Sequence, residues 1–253
     1  MQAKNPFTDD YHQPTPITLP PGTRLKPGQK VLVDYYAVTT VPGMHSVSMC
    51  LTDPASIQWV AANGRAIHQL FPVDSGLVLG YDEIRQANSC GSCRKQHLSA
   101  GQLLAWSVGR TMETYDSVAP GHPFYTWNDM FDPYQNAHAN YFYVEGDLAG
   151  SWTGVPANVT IMNWNLDHLR DSLLWFSGTD TRQPTQHAQI IAGYYDTGNG
   201  PAAAQGELQA ASGVPGILGL MYTTWNDDYS QLASFANAAK SGWSSYRSSL
   251  RER

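Results

Sequence analysis

The chain has 253 residues, with 15 Lys and Arg against 21 Asp and Glu, which gives a formal charge of −6. This charge disfavours a nucleic acid or an anionic membrane surface as the partner, and no apolar run is long enough to span a bilayer. The polar N-terminus MQAKNPFTDD lacks the basic and apolar regions of a signal peptide, so the chain is expected to be cytoplasmic or exported with its signal removed.

A Pro-rich, polar arm over residues 1–29 is predicted to precede a single domain over residues 30–253. In the domain, an apolar or aromatic run is followed by polar residues and then, in most cases, by a helical stretch. Six such runs are found, at 30–39, 76–83, 123–130, 158–165, 188–196 and 216–225. The runs are continuous rather than alternating, which is typical of parallel strands buried on both faces.

Helical stretches lie between and after the predicted strands. The first is expected to begin with Asp53 as its N-cap and Pro54 in its first turn, and the second to begin at Ser99. Two more are predicted over 166–177 and 227–243. Strands that alternate with helices indicate a parallel sheet with right-handed crossovers.

The predicted fold class is therefore α/β. A (β/α)8 TIM-type barrel has about this length, but only about six β/α units are recognisable, which also favours a partial barrel. Residues 140–146 predict a loop or a short extra strand. An open doubly wound sheet is the alternative, and its nucleotide-binding version is weakened because the chain has no Gly-rich phosphate loop.

Aromatic and acidic residues cluster at the ends of five of these runs. The candidate site residues among them are Asp82, Glu83, Trp127, Asp129, Trp164, Tyr194, Tyr195, Asp196 and Trp225. A single strand-end Asp is usually a cap or turn residue, but five such ends together predict a pocket with aromatic walls and converging acids. A glycosidase needs this combination, because carboxyl groups protonate the leaving oxygen and stabilise the sugar cation while aromatic rings pack against the sugar.

The adjacent Asp82 and Glu83 in GYDEIR resemble the Asp-Glu pair of family-20 glycoside hydrolases, the β-N-acetylhexosaminidases. Members of that family are (β/α)8 barrels with this pair at the end of the fourth strand. The strand-end tryptophans of this chain are similar to those that line the family's sugar pocket. The resemblance covers roughly residues 30–240, without equivalents of the first two strands, and departs at Leu79-Gly80-Tyr81, where the family has His-x-Gly-Gly.

The resemblance implies a substrate-assisted, retaining hydrolysis of N-acetylhexosaminides. Glu83 would be the general acid/base, with a pKa raised by burial against aromatic rings, and Asp82 would orient the 2-acetamido group that attacks the anomeric carbon. Tyr194 or Tyr195 would hold the acetamido oxygen. Three tryptophans would enclose the acetamido group, namely Trp127, Trp164 and Trp225. No cofactor and no metal are expected; the partner is a carbohydrate, and a homo-oligomer that covers or completes the barrel is a possible assembly.

Three alternatives stay open at this stage. A retaining glycosidase in which Glu83 is the acid/base and Asp196 the direct nucleophile ranks second. A non-catalytic carbohydrate-binding partial barrel would keep the aromatic pocket without turnover. A hydrolase or lyase of another kind is also compatible, because a fold does not determine its chemistry.

Two further features of the sequence are interpreted as structural. Cys90 and Cys93 form a CGSC pair, while Cys50 stands alone, so that the pair supplies only two metal ligands. A loop clip, or two reduced thiols, is the favoured interpretation. Arg85 is expected to form a salt bridge with Asp82 or with a neighbouring strand-end acid.

Overall fold

The computed structural model describes residues 19, 21–32, 48–183, 185–196 and 198–251. The chain divides into two compact units, Met1–Met49 and Cys50–Arg253. All helices and strands of the described residues belong to the second unit. The strand predicted over 30–39 falls mostly outside the described residues, as does most of the predicted arm.

A parallel sheet of five strands forms the centre of the second unit, within the part of the chain that the structure describes. Its strands are β1 (Leu77–Leu79), β3 (Phe124–Trp127), β5 (Val159–Asn163), β6 (Gln189–Tyr194) and β7 (Ile217–Thr223). The spatial order β1-β3-β5-β6-β7 is also the order along the chain. The described sheet thus has no point at which the strand order reverses, whereas a doubly wound sheet has one.

The strand predictions from residue 76 onward are confirmed, since each run contains one strand of the sheet. The short extra strand predicted in 140–146 is also confirmed. It is β4 (Tyr143–Val144), and it pairs in parallel with the two-residue β2 (Gln86–Ala87) outside the main sheet.

Six helices accompany these strands among the described residues: α1 (Pro54–Leu70), α2 (Gly91–Arg94), α3 (Ala100–Val118), α4 (Leu169–Phe176), α5 (Gly200–Ala210) and α6 (Leu232–Ser249). The predicted caps are confirmed. Asp53 accepts a hydrogen bond from the backbone N of Ala55 at 2.8 Å, and Ser99 forms a reciprocal capping box with Gln102. No described helix is both long and apolar enough to cross a membrane.

The hydrophobic core packs against one face of this sheet, because Leu79, Ile161 and Ile191 point to the same side in the register of the strands. One cluster joins β1, β3 and β5 to α1 and α3 and includes Leu79, Leu104 and Ile161. Another joins β6 and β7 to α4, α5 and α6 and includes Leu173, Ile191 and Leu208. Helix α3 also contacts the 3-10 turn Ser151–Gly154. The sheet is thereby held rigidly, and the ends of its strands become a stable platform for loops.

Candidate functional site

A pocket of about 260 Å³ opens beyond the C-terminal ends of the strands of the sheet. Six of the nine predicted site residues line it, namely Asp82, Glu83, Trp127, Trp164, Tyr194 and Trp225. Parallel strands present their C-terminal ends at one edge of a sheet. Residues that are far apart in the sequence therefore meet around one pocket.

Three further residues line the pocket and were not among the predicted set: Leu166, Ala192 and Thr223. The two-residue period of a strand could have identified two of them. Ala192 lies two residues before Tyr194, and Thr223 lies two residues before Trp225. The small Ala192 side chain leaves room between the larger aromatic rings.

The acid pair lies on a sharp turn just beyond β1. Glu83 has a left-handed backbone conformation with φ of 45°, which is uncommon for a residue with a side chain. The preceding Tyr81 is buried, and its hydroxyl lies 2.9 Å from the hydroxyl of Ser107 and 2.8 Å from that of Thr111. Tyr81 thus anchors the strand end to α3 and does not line the pocket.

Asp82 and Glu83 have different surroundings. Desolvation beside the pocket raises the pKa of Asp82, and the nearby charge of Glu83 adds to this effect. The Glu83 side chain is 46% exposed, and its Oε1 accepts a hydrogen bond from Nη2 of Arg85 at 2.6 Å. The expectation that Glu83 is buried against aromatic rings is therefore wrong, because nearly half of its side chain is exposed. The salt bridge expected for Arg85 is present, with Glu83 as its partner.

Asp129 supports the pocket from below instead of lining it. Its carboxylate is fully buried, which corrects the expectation of a substrate contact. Oδ2 accepts hydrogen bonds at 2.8 Å from the backbone N of Glu83 and from Nδ2 of Asn136, and Oδ1 accepts one from Nε1 of Trp164 at 3.4 Å. Burial raises the pKa of Asp129 to about 6, although these hydrogen bonds oppose the shift. Asp129 thereby connects the acid turn to a pocket tryptophan.

A second buried carboxylate, Asp132, joins the ends of β3 and β5. Its Oδ2 accepts hydrogen bonds from Nδ2 of Asn128 at 2.9 Å, from Nδ2 of Asn165 at 3.0 Å and from the hydroxyl of Ser172 at 2.5 Å. Asn128 in turn accepts a hydrogen bond from the backbone N of Trp164 at 2.9 Å. A fully satisfied polar network of this kind rigidifies the residues it includes, and here it places Trp164.

Tyr195 points away from the pocket, although the sequence predicted it or Tyr194 as a substrate contact. It is fully buried, and its hydroxyl donates a hydrogen bond to Oε2 of Glu207 in α5 at 2.7 Å. Adjacent side chains of a strand point to opposite faces, so Tyr194 reaches the pocket and Tyr195 reaches the core. The choice that the sequence left open is resolved in favour of Tyr194 as the pocket residue.

Asp196 also lies outside the pocket lining, which corrects its predicted place there. Its carboxylate accepts hydrogen bonds from the hydroxyl of Thr224, from the backbone N of Trp225 at 2.6 Å and from the backbone N of Asn226 at 3.1 Å. Although desolvation opposes it, these hydrogen bonds lower the pKa of Asp196. These hydrogen bonds connect Asp196 to the loop that carries Trp225.

No protein-family model matches the chain, and no curated protein matches it. The placement and chemistry of the pocket residues are consequently the grounds on which a function can be assigned.

Proposed function

We propose that the chain is a retaining glycosidase that removes terminal N-acetylhexosamine with the help of the substrate's own acetamido group. The observation that carries this proposal is the composition of the pocket. Its walls combine two adjacent carboxyl groups with the aromatic rings of Trp127, Trp164, Trp225 and Tyr194. Aromatic rings pack against the apolar faces of sugars, and the volume of about 260 Å³ lies just below the range for drug-sized ligands, which suits a single sugar ring.

The arrangement of the acids supports assistance by the substrate. A retaining enzyme with two catalytic carboxyl groups places them about 5 Å apart on either side of the scissile bond. Among the described residues, the carboxyl groups that line this pocket belong to the neighbours Asp82 and Glu83. A nucleophile on the opposite wall would then come from the substrate, as the 2-acetamido oxygen. Asp196 has less support as a nucleophile, because its oxygens already accept hydrogen bonds from the Trp225 loop.

Each of the six predicted residues that line the pocket has a defined part in this proposal. Glu83 protonates the glycosidic oxygen and later activates water. Arg85 donates to Oε1 of Glu83, and among the described residues Oε2 is left for the leaving group. Asp82 orients the acetamido N–H, and the hydroxyl of Tyr194 donates to the acetamido carbonyl. The tryptophans enclose the ring and exclude water from the reacting carbon.

The fold that we propose for this site is a segment of a (β/α)8-type barrel. The sequential, all-parallel strand order supports it, together with the helices between β1 and β3, between β5 and β6, and between β6 and β7. The pocket's position at the C-terminal ends of the strands also agrees with where such barrels place their sites.

The proposal is tested with chromogenic β-glycosides that carry or lack a 2-acetamido group. We expect turnover of the acetamido sugars alone, and a loss of kcat of about 10²–10⁴-fold in Glu83→Gln and in Asp82→Asn. Glu145→Gln is the matched control, because Glu145 is 49% exposed and pairs with Arg94 at 2.5 Å but lies outside the pocket. Turnover that Glu83→Gln leaves unchanged would contradict the assignment.

A non-catalytic carbohydrate-binding function is the second candidate. The exposure of Glu83 and its ion pair with Arg85 favour it, because a general acid is usually buried. Absence of turnover on the whole panel, with saturable quenching of tryptophan fluorescence by N-acetylhexosamine, would support this candidate. Quenching should then weaken in Trp225→Ala, whose indole is 79% exposed at the rim.

A further inference from the structure

The three cysteines of the chain converge at one place outside the pocket. Sγ of Cys50 lies 3.5 Å from Sγ of Cys90 and 3.7 Å from Sγ of Cys93, and the three sulfurs lie within 4.8 Å of one another. Cys50 precedes α1, whereas Cys90 and Cys93 belong to the turn that forms α2. The fold therefore adds a third thiol to the CGSC pair from forty residues away.

We propose that these three thiols bind one Zn²⁺ ion as thiolates. Three sulfurs at 2.3 Å from a tetrahedral ion are separated from one another by about 3.8 Å. The observed separations of 3.5 and 3.7 Å require only small side-chain movements to reach this value. The two-residue spacing between Cys90 and Cys93 is also typical of zinc ligands on a tight turn.

A disulfide explains the cluster less well than a metal ion does. A disulfide uses two sulfurs and leaves the third without a function, while the contacts of Cys50 with both other cysteines favour no single pair. The chemistry of the ligand atoms also favours zinc, because soft thiolate sulfurs bind Zn²⁺ in preference to harder cations. The three thiols together, rather than any two, are the feature that requires an explanation.

The cluster supplies three of the four positions around a tetrahedral ion. Within the described residues, no fourth His, Cys, Asp or Glu belongs to the cluster. Cys93 is buried and Cys90 is exposed, so the open side faces solvent. On the inner side, the hydroxyl of Thr52 lies 3.6 Å from Sγ of Cys50 and 3.5 Å from Sγ of Cys93. Such an outer contact orients sulfur ligands.

Binding is coupled to proton release, since each thiol must lose its proton to become a ligand. One Zn²⁺ replaces three protons and leaves the zinc–thiolate group with a single negative charge. The affinity for Zn²⁺ should therefore increase as the pH is raised.

The ion would restrain the loop that carries the acid pair. The segment between Cys50 and Cys90 contains α1, β1, Asp82 and Glu83. A metal ion that holds the two ends of this segment together reduces the conformational entropy of the unfolded chain. This structural zinc would thus stabilise the fold, in place of the expectation from sequence that no metal is bound.

The test uses the whole protein, purified with reductant and then freed of metal, with Zn²⁺ alone as the ligand. We expect one equivalent to bind in competition with a chromogenic chelator, and Co²⁺ to give the absorption of a tetrahedral thiolate complex. Each of Cys50→Ser, Cys90→Ser and Cys93→Ser should lower the affinity by about 100-fold or more. Ser89→Ala, on the same turn, should leave the affinity unchanged.

Two results would overturn the proposal. The first is a combination of two measurements. The reduced protein would bind less than a tenth of an equivalent of Zn²⁺, and thiol titration before reduction would find one free thiol per chain, as expected if the other two form a disulfide. The second is wild-type affinity in Cys50→Ser, which would exclude the third ligand. Because Cys90 is exposed, Cys90→Ser is expected to fold, as judged by circular dichroism. A loss of affinity in this variant then cannot be attributed to unfolding. A rise in Tm on adding Zn²⁺ to the metal-free protein, absent in this variant, would support the structural function of the ion.

Discussion

Glu83 shows how a single residue depends on another that is distant in the sequence. Its left-handed backbone costs on the order of 1–3 kcal/mol and persists only where the surroundings enforce it. The buried carboxylate of Asp129 supplies this restraint by accepting a hydrogen bond from the backbone N of Glu83 at 2.8 Å. The position of the proposed acid/base therefore depends on a second acid that never contacts the substrate.

The raised pKa of Asp129 predicts a pH-dependent contribution to stability. Asp129 holds its proton up to a pH of about 6 in the folded protein but only to about 3.9 in the unfolded chain. The contribution of Asp129 to the free energy of unfolding is therefore fully present below pH 4 and is lost as the pH rises through 6. The free energy of unfolding of the wild type, minus that of Asp129→Asn, should fall by up to about 3 kcal/mol between pH 4 and 7. Urea unfolding at several pH values measures this difference, and a difference independent of pH would contradict the prediction.

Tyr81 offers a test of the strand-end anchor that is separate from the chemistry. Tyr81→Phe removes the hydroxyl that contacts Ser107 and Thr111, which should lower the free energy of unfolding by about 1–2 kcal/mol. The kcat of the proposed reaction should change less than about threefold, since Tyr81 does not line the pocket. Tyr125→Phe in β3 is the control, because no described residue bonds the hydroxyl of Tyr125. Equal destabilisation by both changes would contradict the anchoring function.

At the scale of elements, helix α3 is held by direct contact between backbones. Gly101 in its first turn lies against the carbonyl oxygen of Ala149, and Ala105 in its second turn lies against Gly154. Any side chain at either glycine would overlap backbone atoms that cannot easily move. This close approach holds α3 at the distance from which Ser107 and Thr111 reach Tyr81.

Two glycines of α3 predict opposite changes in stability. Gly101→Ala places a methyl group on the Ala149 carbonyl and should lower the free energy of unfolding by about 1–3 kcal/mol. Gly109→Ala, with open space around its new methyl group, should raise it by about 0.5–1 kcal/mol, because alanine favours a helix. Thermal unfolding of the two variants measures the contrast. The same direction of change in both would show that close packing at Gly101 is not the cause.

Some elements were predictable from sequence because their signals are local. The continuous apolar runs from residue 76 onward identified the strands, and Asp53 and Ser99 identified two helix starts. Helix α5 was missed because its sequence, GPAAAQGELQA, has no apolar stripe and buries mainly small residues. The buried Glu207 of this helix accepts a hydrogen bond from Tyr195. The two residues are twelve positions apart in the sequence, so no local pattern predicts the contact.

At the scale of the whole molecule, the pocket is a product of strand order. Six predicted residues converge because the strands run parallel, and that inference required only the chain order. The depth of Asp129 and the loop-holding function of Asp196 could not be predicted, since both depend on which neighbouring donors the fold supplies. The approach of Cys50 to the CGSC turn is likewise a tertiary event without a local signal.

The edge that β7 forms in the described sheet predicts self-association. Strand β7 has β6 as its neighbour on one side and no described strand on the other, and Leu218 in it is 57% exposed. Unpaired edges of this kind tend to pair with another chain, in agreement with the expected homo-oligomer. Sedimentation velocity should detect concentration-dependent association that Leu218→Lys reduces. A wild type that is monomeric at every concentration would contradict this prediction.

The sequential strand order also affects how the protein is synthesised. Because each strand of the five-stranded sheet pairs with the strand of that sheet that precedes it in the chain, the sheet can grow in the order in which the ribosome delivers the chain. Trp225 follows β7 directly, so one wall of the pocket is missing until the last strand has docked. A ligand of the pocket therefore distinguishes finished molecules from chains stopped before β7, and its binding protects only the finished ones from unfolding.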